Sequence, residues 1–161
     1  MKPTARSRTL PILAAALGLT LAAPLASAAD PASEYQTWNR LITALGDAGY
    51  TAVEEIETKL FGRFEVEAVH RDGQEYQLTM TSAAEISSQQ VRGPKHASAD
   101  LIELQALSRV LGWLQQQQYS GLDQIAGDDG LAEIEARNAG GQRQEISLNP
   151  VSLQIVTVER D

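Results

Sequence analysis

The chain contains no cysteine, so neither disulfide bridges nor a thiolate nucleophile or metal ligand can contribute to it. It has two histidines, His70 and His96, set apart and without a His-x-Glu or His-Glu-x-x-His cluster. That leaves no spacing typical of a histidine metal centre, and few residues that could act as a general base near neutrality. Lys and Arg total 13 against 21 Asp and Glu, which disfavours nucleic acid or anionic lipid as a partner because both demand clustered cations. No glycine-rich loop of phosphate-cradling spacing occurs. Beyond the first 28 residues, no apolar run approaches the length of a membrane span.

Those first 28 residues read as an address. Lys2, Arg6 and Arg8 precede an Ala/Leu-rich run from Leu10 to Ala23, and Ala26-Ser27-Ala28 is a small-x-small cleavage signal. Residues 1–28 are therefore expected to be a signal peptide, cleaved near Ala28, that delivers the protein to the periplasm or the medium. No cysteine follows the small residues to take a lipid anchor. Cleavage would leave 133 of the 161 residues, with 10 basic against 21 acidic side chains and a net charge of −11. A chain of that size suits one ordinary domain or two very small ones.

The remainder is self-similar. At an offset of 69, Trp38 falls on Leu107, Leu41 on Val110, Ile42 on Leu111, Leu45 on Leu114 and Tyr50 on Tyr119. After the loss of one residue, Glu65-Val66-Glu67-Ala68 lies over Glu133-Ile134-Glu135-Ala136, and Gly73-Gln74 over Gly141-Gln142. Each copy reads as a helix followed by strands. Tyr35, Trp38, Leu41, Ile42 and Leu45 keep helical spacing, with a Ser33–Gln36 capping box before them and Gly49 after. Leu101, Leu104, Leu107, Leu111 and Leu114 form the second stripe, started by Asp100 and Glu103.

Phe64, Val66 and Ala68 alternate with charged residues, turn at Asp72-Gly73 and return through Tyr76, Leu78 and Met80. The second copy repeats this through Ala132, Ile134 and Ala136, a Gly140-Gly141 tip, and Ile146 and Leu148. A last strand is expected over Val151 to Val158, covered on both sides because its apolar residues fall on both faces. The expectation is an α+β fold of two repeats, 33–86 and 100–161, joined by a linker over 87–99. In each, a helix packs on a small antiparallel sheet. Units this small bury little alone, so the two are expected to pack together.

These motifs resemble the PepSY domain family. Ala48-Gly49-Tyr50, Val53-Glu54-Glu55-Ile56, Phe64-Glu65-Val66-Glu67-Ala68 and Asp72-Gly73-Gln74 carry the resemblance in the first copy. Tyr119-Ser120-Gly121-Leu122, Ala132 to Ala136, Gly141-Gln142 and Leu148-Asn149-Pro150 carry it in the second. The family's closing Thr-Gly is Ser152-Leu153 here, and Thr81 to Glu85 stand where the first copy would have its Asp-Pro. The resemblance implies a domain of the kind found in propeptides of thermolysin-like metallopeptidases and in exported bacterial proteins. It implies binding to another protein in the envelope, a peptidase among the candidates; no cofactor is expected.

The residues themselves assemble no nucleophile, base and orienter, so no catalytic residue and no enzyme is expected. Glu65 with Glu67, and Glu133 with Glu135, sit two apart and share a sheet face turned from the helix. An acidic patch there would suit a basic protein partner, and these four are the candidate partner-binding residues. Asp128-Asp129-Gly130 reads as a turn, short of the ligands a calcium site requires, and no metal site is expected. Trp113, beside the second stripe, is a candidate contact between copies. The alternative reading is a small-ligand or metal-ion binding protein of the periplasm.

Overall fold

The computed structural model describes residues 30–160, so the expected signal peptide lies outside the described residues. Two helices, α1 (Pro31–Ala48) and α2 (Leu104–Gln116), lie on a single antiparallel sheet. The strands are β1 (Tyr50–Lys59), β2 (Arg63–His70), β3 (Gln74–Thr81), β4 (Ile86–Pro94), a two-residue β5 (Ile102–Glu103), β6 (Ser120–Asp128), β7 (Leu131–Arg137), β8 (Arg143–Leu148) and β9 (Ile155–Arg160). Their order across the sheet is β4-β3-β2-β1-β6-β7-β8-β9, with β5 pairing to β1. A helix followed by a meander of four long strands thus occurs twice along the chain. The two meanders meet edge to edge at β1 and β6.

The alternation of the sequence decides which face is buried. Val53, Ile56, Val66, Ala68, Leu78 and Met80 from one side, and Ile125, Ile134, Ala136, Ile146 and Leu148 from the other, point under the helices and are shielded from water. The helical stripes meet them: Tyr35, Trp38, Leu41 and Leu45 from α1, and Leu107, Val110, Leu111 and Leu114 from α2, belong to the same cluster. Trp38 sets its ring edge-on to Phe64, centroids 5.6 Å apart. Gly49 ends α1 in the left-handed region (φ 96°), its N–H bonded to Gly46 and Leu45 carbonyls. A Cβ there would collide with Arg71 and His70, so the helix turns into β1 only through glycine.

Several local expectations give way. Asp30, not Ser33, caps α1, its carboxylate accepting the Ala32 N–H at 3.1 Å, with Pro31 in the first turn. The second helix starts at Leu104 because Ile102 and Glu103 are drawn into a strand against β1. Most of the 87–99 segment is no linker: β4 runs to Pro94, paired to β3 from Ile86 to Pro94. Its Ser and Gln residues suit an outer strand exposed to water on one edge, where no apolar alternation is demanded. The last strand begins at Ile155 rather than Val151. It is exposed throughout, because the helices reach only the middle strands. Val151 and Ser152 instead form a turn in which both N–H groups donate to the Asn149 side chain. Leu153 takes the left-handed conformation (φ 59°) at the place where glycine was missed.

With Trp38 buried in one half and Trp113 partly buried against the same core in the other, unfolding should be a single event. Trp38→Phe and Trp113→Phe variants, each leaving one reporter, should give the same urea midpoint by fluorescence and by circular dichroism. Ile125→Ala, which opens a cavity at the junction, should lower stability by about 2–5 kcal/mol in either background.

Candidate functional site

The face of the sheet turned away from the helices carries two rows of acidic and amide residues. One row reads Thr79, Glu65, Glu57, Gln124, Glu135, Glu145 and Glu159 from β3 to β9. The next reads Gln77, Glu67, Glu55, Ala126, Glu133, Ser147 and Thr157. The period of two that sends Val66 and Ile134 inward sends these outward, so the rows are the other half of the pattern that builds the core. All four glutamates singled out in the sequence lie here: Glu65 and Glu67 left of the centre, Glu133 and Glu135 right of it. Glu55 and Glu57 on β1, with Glu145 and Glu159, join them. The sequence reading overlooked these four, because facing register between strands cannot be read from one strand's alternation.

Carboxylates opposite one another raise each other's proton affinity. Glu55 is held above the ordinary glutamate range, first by burial and then by Glu67 and Glu57. Gln124 opposes this by donating from Nε2 to Glu55 Oε1 at 2.5 Å. Glu133 is raised by burial, then by Asp128, Glu145 and Glu159. Cations are interleaved with these acids: Lys95 meets Glu54 and Glu75, and Arg92 donates to the Gln77 amide oxygen. Lys59 bridges Glu57 and Glu65, and Arg143 meets Glu135 and Asp123.

Two carboxylate triads are compact enough to be tested as cation sites. Glu54, Glu67 and Glu75 converge, but the Lys95 ammonium is already bonded to Glu54 and Glu75 there. Asp100, Asp128 and Asp129 also converge, at the β6–β7 turn. Asp100 spends Oδ1 on the Asp129 N–H (3.3 Å), and three mostly exposed carboxylates fall short of the six to eight oxygens calcium takes. The loop before β5 lies so close to β6 that a Cβ at Gly127 would overlap the Asp100 carbonyl.

His70 stands at the end of β2, edge-on to Tyr50 and Tyr76, with Nδ1 3.1 Å from Asp72. The Asp72 carboxylate, bonded by the Gln74 N–H and the Tyr76 hydroxyl, is held below its usual range. This cluster closes the β2–β3 hairpin. His96 is exposed on the loop after β4. Trp113 stacks on Tyr119 of its own half, centroids 6.1 Å apart.

The tie between halves is made elsewhere. Glu34, in the first turn of α1, accepts the N–H groups of Gly121 (2.9 Å) and Leu122 (2.6 Å), and the Tyr35 hydroxyl donates to the Tyr119 carbonyl at 2.9 Å. On the other side, β5 binds Ala52 and Val53 of β1, the residues that stand 69 before Gly121 and Leu122. One half thus uses a side chain where the other uses backbone. The cavities beside these ties are open grooves. One of about 450 Å³ is lined by Glu34, Trp38, Thr58, Phe64, Gly121 and Arg137 among others.

The family described as peptidase propeptide and YPEB domain matches residues 11–89, which hold α1, β1, β2, β3 and the start of β4. A crystal structure of a protein described as a lipoprotein, from Clostridium difficile 630, superposes with a TM-score of 0.43 and 14% identity. The superposition spans 77% of this chain and 92% of that one. The chain matches no curated protein. Among the described residues, no helix is long and apolar enough to cross a membrane.

Two outcomes follow from this geometry. Glu34→Ala leaves two N–H groups unpaired where the halves join. It should cost about 1–3 kcal/mol in urea unfolding, with Glu34→Gln between it and wild type. A carboxylate whose folded pKa is raised supports the fold below its unfolded pKa, and that support is lost as pH rises through the folded value. Glu55→Gln and Glu133→Gln should therefore stabilise the protein at pH 7 by a few tenths of a kcal/mol. That gain should vanish near pH 4 and shrink in high salt.

Proposed function

From a chain whose residues 11–89 belong to the peptidase propeptide and YPEB domain family, we propose an exported, non-catalytic protein. It binds another protein through the open carboxylate face of its sheet, and a peptidase of the cell envelope is the first candidate. The reading rests on one observation above others. Glu55, Glu57, Glu65, Glu67, Glu133, Glu135, Glu145 and Glu159 share one face that no helix covers, and these eight carboxylates outnumber the cations among them. Two of these carboxylates already bear raised pKa values, so charge is held there at a cost in stability. A partner presenting Lys and Arg would relieve that repulsion and be steered to the face at long range.

Export is part of the same proposal and rests on the leader-like residues 1–28. Two identical modules fused at their sheet edges would explain both the 69-residue offset and the repeated helix-then-meander order. The non-catalytic reading is supported by the engagement of His70 with Asp72 and the aromatic rings, which closes a hairpin. The family's link to propeptides gives the peptidase its priority. Open grooves and a broad acidic face suit a macromolecule better than an enclosed small ligand.

The test is affinity capture from a periplasmic extract of the source organism. Wild-type residues 29–161 would be compared with a variant carrying Glu65→Lys, Glu67→Lys, Glu133→Lys and Glu135→Lys. A protein retained by wild type, released by moderate salt and lost with the variant is the expected result. Identical recovery by both forms would defeat the acidic-face reading.

A further inference from the structure

The two central hairpins of the sheet are built alike and tipped differently. The β6–β7 hairpin turns through Asp129 (φ 46°) and Gly130 (φ 84°), a polar pair well suited to two successive left-handed residues. The β1–β2 hairpin turns through Leu60, Phe61 (φ 64°) and Gly62 (φ 67°). Phe61 thus occupies a conformation that costs a bulky residue energy and an Asn or Asp little. Burial does not compensate the strain: Phe61 is 92% and Leu60 77% exposed. A hairpin under selection for folding alone would carry the residues seen at the other tip. The left-handed Ala84 and Leu153 at the outer turns are partly buried against the core, whereas at Phe61 strain and full apolar exposure coincide, which points to a contact made with something else.

The surroundings choose the occupant. Lys59 and Arg63 flank the tip, but Lys59 is engaged by Glu57 and Glu65 directly below it, and the acidic rows begin at those two residues. Carboxylates that begin at Glu57 and Glu65, two registers below the tip, disfavour an anionic lipid surface there. A protein with an apolar pocket bordered by Lys and Arg is matched on both counts. We propose that Leu60 and Phe61 form the apolar anchor of the protein-binding surface, seated in a pocket of a basic partner while the adjoining glutamates engage its rim. This rests on the proposed partner-binding role and names its central contact.

The test places p-benzoylphenylalanine at position 61, and separately at position 129, in residues 29–161 and irradiates each in an extract of the source organism. The adduct formed from 61 and not from 129 is identified and that protein is purified. Its affinity is then measured for wild type, Phe61→Asn, Leu60→Ser and the four-glutamate reversal. Phe61→Asn should bind at least tenfold more weakly while unfolding at higher urea, because Asn accepts the left-handed turn. That pairing of opposite signs distinguishes a recognition residue from a structural one.

Unchanged affinity of Phe61→Asn would overturn the anchor, and if charge reversal still abolishes binding, the acidic-face reading survives it. Loss with Phe61→Asn but not with charge reversal would keep the anchor and remove the face. Equal labelling from both positions, adducts only to a second copy of the chain, or Phe61-dependent binding to phosphatidylglycerol vesicles would each overturn the proposal.

Discussion

Everything in this molecule depends on a short stretch of pairing at the middle of the sheet, where Glu55, Ile56 and Glu57 of β1 face Ala126, Ile125 and Gln124 of β6. A helix and one meander bury little by themselves, and this ladder joins the two meanders into one sheet that carries both helices. Ile56 and Ile125 stand opposite each other beneath α1 and α2, fully shielded from water. The same register sets Glu55 and Glu57 beside the acidic residues of both halves on the other face. Core and carboxylate rows are two consequences of a single pairing, because side chains alternate along every strand.

The junction is reinforced unequally. On one side a two-residue strand, β5, adds backbone hydrogen bonds to the start of β1. On the other, the Glu34 carboxylate reaches the start of β6 and satisfies two N–H groups that no strand covers. A charged acceptor in a half-buried place makes stronger bonds than a neutral one, so one side chain can stand in for a short strand. The two halves are alike in order and different in the chemistry that locks them.

Much of this was legible in the sequence. The helical stripes, the Phe64–Ala68 and Ala132–Ala136 strands, both glycine hairpins and the outward glutamates follow from periods of 3.6 and 2, which survive because each element buries one face. What escaped notice lies where no apolar face is buried. The β4 strand reads as linker because an outer strand wet on its edge can be made of Ser and Gln. The β9 strand reads as covered because its valines are apolar, yet the helices do not reach it. Glu34 is invisible because its partners are backbone groups 87 and 88 residues away. Phe61 passes unremarked because nothing in a sequence tells an exposed phenylalanine from a buried one when no period surrounds it.

The join between the halves has a consequence for how the chain meets proteases. By composition, the segment after β3 is the place where a nick should separate two modules. Instead its first part is hydrogen-bonded into the sheet as β4, and just past the end of that strand Lys95 is clipped to Glu54 and Glu75. A protease needs a run of backbone it can draw into its cleft, and here only the few residues between Lys95 and β5 are loose enough to offer one. Even those lie across Gly127, held by bonds from Asp129 to Asp100 and from Gly130 to Ala99. The protein carries its most cleavable-looking sequence in a form that digestion cannot readily enter.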